Sequence, residues 1–159
     1  MRNVKKFYTK GNSLLYWTKV KNPLRVLFNF ITIYTARYLP SIRMKNLLYR
    51  LVGIKMGENS AVGLGAIFDI FFPELISIGE NSIIGYNTTI LSHEFLINEL
   101  RIGKVKIGDH VMIGANCTIL PGIEIGDHAI ISAHSLVNRN VRNHEFVGGV
   151  PIHKIKIKR

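Results

Sequence analysis

The sequence predicts an all-β chain: a parallel β-helix of hexapeptide repeats, preceded by a short α-helical segment. Three observations carry that reading. Branched aliphatic residues recur every six positions at Ile107, Ile113, Ile119, Ile125, Ile131 and Val137. Glycine follows at 108, 114 and 126. Four residues after each aliphatic come Val111, Cys117, Ile123, Ala129, Ser135 and Val141, mostly small or β-branched. A period of six fits neither an amphipathic helix, with a repeat of about 3.6, nor a repeating hairpin. It is the period of a β-helix, in which each hexapeptide supplies one short strand and one turn. Three hexapeptides close a triangular coil, and stacked coils bury a continuous core.

Before Gly53 the apolar residues follow helical spacing. Leu24, Leu27, Phe28 and Ile31 recur at three and four residues, as do Leu47, Leu48 and Leu51. Asn22-Pro23 reads as a helix start and Pro40-Ser41 as a stop and restart. Residues 1–55 are therefore expected to hold two or three short helices.

From Met56 the period changes to six. A first set is Met56, Val62 and Phe68, and a second is Ile78, Ile84 and Ile90. Two breaks interrupt the period: four extra residues before Ile78, and eleven from Leu96 to Lys106 before Ile107. Without them, coils start at Met56, Ile78 and Ile107, and a fourth runs from Ile125 to about Arg142. The expected division is thus a basic segment 1–55, a β-helix 56–142 with an extruded loop 96–106, and a tail 143–159. A solenoid gains no stability from a loop whose backbone water must satisfy, so such loops usually mark function.

At 159 residues the chain is long enough to bury a core, and 47% hydrophobic residues exclude general disorder. The single cysteine, Cys117, excludes a disulfide framework and suits a reducing compartment. The net charge of +11 is uneven. Residues 1–55 hold twelve Lys/Arg and no acid, interleaved with Phe7, Tyr8, Trp17, Phe28, Phe30, Tyr34 and Tyr38. Such a segment is expected either to meet an anionic membrane surface or to cap the open end of the solenoid. Nucleic acid is not expected as a partner, because no recognised motif accompanies the charge. No apolar run of signal-peptide type appears. The stretch Leu24 to Leu39 is broken by Arg25, Asn29 and Arg37, so no membrane span is expected. The expected location is cytoplasmic, peripheral on the inner face of the membrane.

Four histidines, His93, His110, His128 and His134, share the slot three residues after the core aliphatic. Asn59, Gly65, Asn81, Asn87, Asn116, Gly122 and Asn140 fill it elsewhere, with Phe71 the exception. Gly, Asn and His tolerate positive φ, so the slot reads as a strained corner of the triangle. His110 and His128 should stack one coil apart, and two stacked imidazoles leave a catalytic zinc short of a third ligand. No metal is expected. His93 differs because its corner opens into the loop, where a near-neutral imidazole suits a general base.

The segments Ile84-Gly85-Tyr86-Asn87-Thr88-Thr89-Ile90-Leu91-Ser92-His93 and Ile107-Gly108-Asp109-His110-Val111-Met112-Ile113-Gly114 stand out as a set. With Ile119-Leu120-Pro121-Gly122, Ile125-Gly126-Asp127 and Val147-Gly148-Gly149-Val150-Pro151, they resemble the hexapeptide-repeat acyltransferases, especially the maltose and galactoside O-acetyltransferase-like branch. The resemblance implies a left-handed coil and a homotrimer with acetyl-coenzyme A as co-substrate. It also implies transfer of an acetyl group to a hydroxyl of a saccharide or envelope-polymer precursor. It places His93 as the catalytic base. Cofactor contacts fall at Gly114, Ala115, Ala133, Asn138, Arg139, His153 and Lys154, and Asp69 or Glu94 would orient His93 or bind the acceptor. Met112, Asn138 and His153 depart from the residues usual at those positions. Two other classes compete. A carbonic-anhydrase-like β-helix requires three converging histidines, and an ice-binding or scaffold solenoid requires a flat threonine face. The sequence has only Thr88-Thr89 and Thr118 for the latter.

Overall fold

A computed structural model describes residues 2–155 of the chain. The aliphatic period becomes three parallel sheets around one core. The first face stacks Lys55–Met56, Ile76–Ile78, Val105–Ile107 and Glu124–Ile125. The second stacks Ala61–Val62, Ile83–Ile84, Met112–Ile113, Ile130–Ile131 and Phe146–Gly148. The third stacks Ile67–Phe68, Thr89–Ile90, Thr118–Ile119 and Leu136–Val137. In each strand the last or central aliphatic points inward and is buried, as at Ile84, Ile90, Ile119 and Ile131. The corners turn through positive φ at Asn59, Asn81, Asn87, His110, Asn116, His128 and His134, and at Gly65 and Gly122, as the slot predicted.

Two register details differ from the expectation. Val141 bridges to Ile125 and so occupies a core position of a new turn. The turn from Ile125 is therefore two residues short of the regular spacing, and Asn140 does not adopt positive φ. The parallel stack also continues past Arg142, since Phe146–Gly148 pairs with Ile130–Ile131 before His153–Lys154 closes antiparallel. The last residues of the expected tail, 156–159, lie outside the described residues.

The basic segment forms helices α1 (Trp17–Val20), α2 (Pro23–Tyr38) and α3 (Ile42–Leu51), with a 3-10 turn at Ser13–Tyr16. Asn22 caps α2, its side chain accepting from the N–H of Leu24, with Pro23 in the first turn. Ser41 restarts the helix as the cap of α3. Helices α2 and α3 rest on the first coil. Tyr49 packs on Phe68 with ring centroids 4.6 Å apart, and Ile33, Ala36 and Val52 complete the plug. Polar side chains meet the carbonyls that the open coil leaves bare. Asn29 donates to Ile70 O and Lys45 Nζ to Gly63 O, each at 2.8 Å. The segment therefore caps the solenoid, which protects the terminal repeat from solvent.

The expected extruded loop is a hairpin. His93–Phe95 pairs antiparallel with Glu99–Ile102, which pairs in turn with an N-terminal strand, Lys5–Tyr8. Its backbone is satisfied by strands rather than by water alone, and Leu100 on its second strand is buried. Val105 already belongs to the next coil. The sequence reading missed the strand Lys5–Tyr8 because all four of its residues are exposed and show no apolar alternation.

Candidate active site

Both breaks in the period meet at one corner. The first break begins at Asp69 and the second follows His93. Asp69 is 2% exposed and accepts five hydrogen bonds. Its Oδ1 takes the N–H groups of Phe71 and Phe72, at 2.8 and 3.0 Å, which fold the inserted segment into a tight turn. Its Oδ2 takes the N–H groups of Ser92 and His93, at 2.8 and 3.0 Å, and His93 Nδ1 at 2.5 Å. Ser92 Oγ closes the arrangement by donating to Phe72 O at 2.8 Å. Burial alone would raise the Asp69 carboxyl. The hydrogen bond and charge of His93, with the N–H groups of Phe72 and Ser92, outweigh it and hold the carboxyl below its ordinary value. The carboxylate only accepts, so for the neutral ring it selects the tautomer with the proton on Nδ1 and the lone pair on Nε2.

Of the two carboxylates expected to orient His93 or bind the acceptor, Asp69 is the one that meets the imidazole. Its side chain is fully buried against the imidazole. Glu94 does not orient His93. It accepts from Arg2 Nη1 at 2.8 Å and lies 4.0 Å from Arg101, tying the N-terminus to the hairpin. His93 also departs from its slot-mates. It opens a strand instead of turning a corner, and positive φ is absent there.

Aromatic rings wall the imidazole. Phe71 and Phe95 lie 4.8 Å from it, centroid to centroid, and Phe72 lies at 6.0 Å. Trp17 packs edge-on against Phe71 at 5.9 Å. The wall excludes water from one side of a group that retains only 14% of its side-chain exposure. Of these aromatics the sequence singled out Trp17 and Phe71, neither as a wall of His93, and not Phe72 or Phe95. The one signal was Phe71 standing where Gly, Asn or His fills the corner.

The residues expected to hold a cofactor lie elsewhere on the chain. Gly85, Gly114 and Ala133 stack at the corner between the second and third faces. A Cβ on Gly114 would sit 2.5 Å from Ala133 N. Gly114 N–H is committed to Ile131 O at 2.9 Å, whereas among the described residues Ala115 N–H has no partner. Ala133 and Asn138 are exposed, as are His153 and Lys154 on the antiparallel strand. Arg139 pairs with Glu145 at 3.2 Å. Within one chain this column and His93 occupy different corners. The buried thiol of Cys117, its pKa raised by burial, packs in the core.

The remaining histidines form a column. His110 and His128 stack at 4.9 Å, as expected, and His144 continues the stack at 4.7 Å. Parallel rings at that spacing cannot converge on one ion. Among the described residues no group of three His, Cys, Asp or Glu is placed to hold a metal.

Known proteins resemble this chain in sequence and in fold. A family described as "Bacterial transferase hexapeptide (six repeats)" matches residues 104–139. The Bacillus subtilis (strain 168) protein named "Putative acetyltransferase YvoF" is 54% identical over 149 residues, 93% of this chain and 87% of that protein. The chain belongs to the hexapeptide-repeat acyltransferase family. A Staphylococcus aureus (strain MRSA252) relative of the same designation, SAR0816, is 40% identical over 97% of this chain and 96% of its own. In fold, this family member aligns with the Vibrio cholerae hexapeptide-repeat acetyltransferase VCA0836, solved with acetyl coenzyme A, at a TM-score of 0.71. That alignment has 19% identity and covers 84% of this chain and 86% of that one. Galactoside acetyltransferase in complex with coenzyme A aligns at 0.67, with 22% identity over 84% and 80% of the two chains. The coil is accordingly the left-handed β-helix of the family.

Proposed function

We propose that this protein transfers an acetyl group from acetyl-coenzyme A to a hydroxyl of a saccharide or envelope-polymer precursor, with His93 as general base. One observation carries the reading: His93, walled by aromatics, is held through Nδ1 by a buried carboxylate, and among the described residues its Nε2 has no hydrogen-bond partner. Asp69 fixes the tautomer and orientation of the ring and offsets the positive charge that develops on it. His93 Nε2 takes the acceptor's hydroxyl proton as the oxygen forms its bond to the acyl carbon. The imidazolium then returns that proton to the departing thiolate sulfur. The thioester supplies an acyl carbon activated for attack. Ala115 N–H, rather than the committed Gly114 N–H, is the donor available to the carbonyl oxygen as it gains charge.

The small residues at Gly114, Ala115 and Ala133 leave a flat corner along which an extended pantetheine arm fits. Asn138, Arg139, His153 and Lys154 lie near the C-terminal end, where cationic groups would pair with coenzyme phosphates. Because this column and His93 are at different corners, a neighbouring copy completes the site, and the working unit is a homotrimer. Leu64, Ile83, Tyr86 and Met112, large side chains exposed beside the column, suit burial in that contact. The test is thiol release from acetyl-coenzyme A across a panel of hydroxyl acceptors that includes cell-wall and lipid-linked saccharides. Acceptor-dependent release that disappears in His93→Ala supports the proposal. The absence of release with every acceptor, together with no binding of coenzyme A, would leave a scaffold.

A further inference from the structure

Helix α2 turns its larger apolar side chains away from the protein. Its inward stripe is Val26, Asn29, Thr32, Ile33 and Ala36, all buried and mostly small or polar. The opposite stripe is Leu24, Leu27, Phe28, Ile31, Tyr34 and Tyr38, from 36 to 76% exposed. At about 100° per residue these six fall on one face, nearly opposite the buried set. Helix α3 repeats the arrangement. Lys45 and Tyr49 are buried inward, while Met44, Leu47 and Leu51 are more than half exposed outward. The two helices pack together on the first coil, so their outward stripes both look away from the solenoid. Capping the coil therefore accounts for the inward stripes and leaves the outward ones unpartnered.

The charge around this face selects its occupant. Residues 1–55 carry twelve cations and no anion; of these Lys45 is buried, and Arg2, Lys6 and Lys21 pair with Glu94, Glu99 and Glu74 away from this face. Arg43 is exposed beside the stripes, whereas Arg25 and Arg50, though exposed, donate to Val52 O and Met56 O, with the Arg25 guanidinium also 5.3 Å over the Phe28 ring. Docking the face on its own copy would press two acid-free surfaces together, which like-charge repulsion opposes. An anionic bilayer offers both what the stripes need and what the cations need, at adjacent depths.

We propose that the outward face of α2 and α3 is an interfacial membrane-binding surface that lies in the headgroup region of an anionic bilayer. It does not span the bilayer: among the described residues no helix is long and apolar enough to cross a membrane. In a trimer with parallel solenoid axes, three such faces share one plane, and attachment becomes multivalent. That clause, and its corollary that the acetyl acceptor is lipid-linked, rests on the reading given under the proposed function.

The experiment is co-sedimentation of the full chain with vesicles of phosphatidylcholine alone or with phosphatidylglycerol added. The wild type is expected to bind the anionic vesicles at least about tenfold better, and less well as salt is raised. Leu27→Glu/Ile31→Glu in α2 and Leu47→Glu in α3 should each lose about tenfold in binding. Their thermal melts and coenzyme A binding should match the wild type. The proposal is overturned if the wild type stays in the supernatant with anionic vesicles at low salt, or if the variants bind as it does. It is also overturned if the variants change the oligomer by light scattering, which would assign the face to a second copy. Vesicle binding by a chain that transfers no acetyl group would uphold this surface and count only against the catalytic reading.

Discussion

Asp69 accepts hydrogen bonds from both the ring Nδ1 and the backbone N–H of His93, 24 residues away and one coil later. The same carboxylate also closes the turn of its own segment through Phe71 and Phe72. One buried carboxylate thus sets the shape of the first insertion, the start of the second, and the orientation of the imidazole between them.

His93→Ala should lower turnover by roughly 10²–10⁴-fold, the usual contribution of a positioned general base. The fold should persist, because His93 begins a half-buried hairpin strand rather than a coil corner. Steady-state kinetics beside far-ultraviolet circular dichroism separates the two effects. Near-wild-type turnover would remove His93 from the mechanism.

Asp69→Asn should act on both rate and acid stability. The folded carboxyl lies below its unfolded value, since its partners outweigh the burial that would raise it. Its stabilising contribution is therefore complete above the unfolded value of about 4 and is lost as pH falls through the lowered folded one. Melting temperature against pH should show that loss in the wild type and a flatter acid limb in the variant. The variant should also melt lower at neutral pH and turn over more slowly. An unchanged acid limb would mean that the carboxylate contributes no proton-linked stability.

Chelation should leave acetyl transfer unchanged. The His110, His128 and His144 rings are parallel and point no lone pairs at a common centre. Activity lost to a chelator and restored by zinc would contradict this.

If the site is shared between copies as proposed, Met112→Glu should split the proposed trimer and suppress activity together, because it would place a charge in the proposed contact between His93 and a neighbour's Ala115 column. Multi-angle light scattering reads the first effect and thiol release the second. A monomeric variant that remains active would overturn the shared site.

Gly85→Ala should destabilise the coil by about 1–3 kcal/mol. The added Cβ would lie 2.4 Å from Gly114 C and 2.6 Å from Ala115 N, both backbone atoms of the next coil that cannot swing aside. A denaturant titration measures it.

The coil was written in the sequence because every hexapeptide repeats one local requirement. An aliphatic residue points inward, and a Gly, Asn or His takes the positive-φ corner, as at Ile107 and His110 or Ile125 and His128. That pattern survives without knowledge of what stacks on what. The helices of the cap were equally legible, from Asn22-Pro23 and Ser41 at their starts. Only the tertiary structure decided that Asp69 grips His93, since both stand where the period breaks and spacing no longer reports position. It likewise decided that Lys5–Tyr8 pairs with Glu99–Ile102, a contact between distant segments with no local signature. Periodic structure is specified by each repeat on its own, whereas the site forms from two interruptions that only stacking brings to one corner.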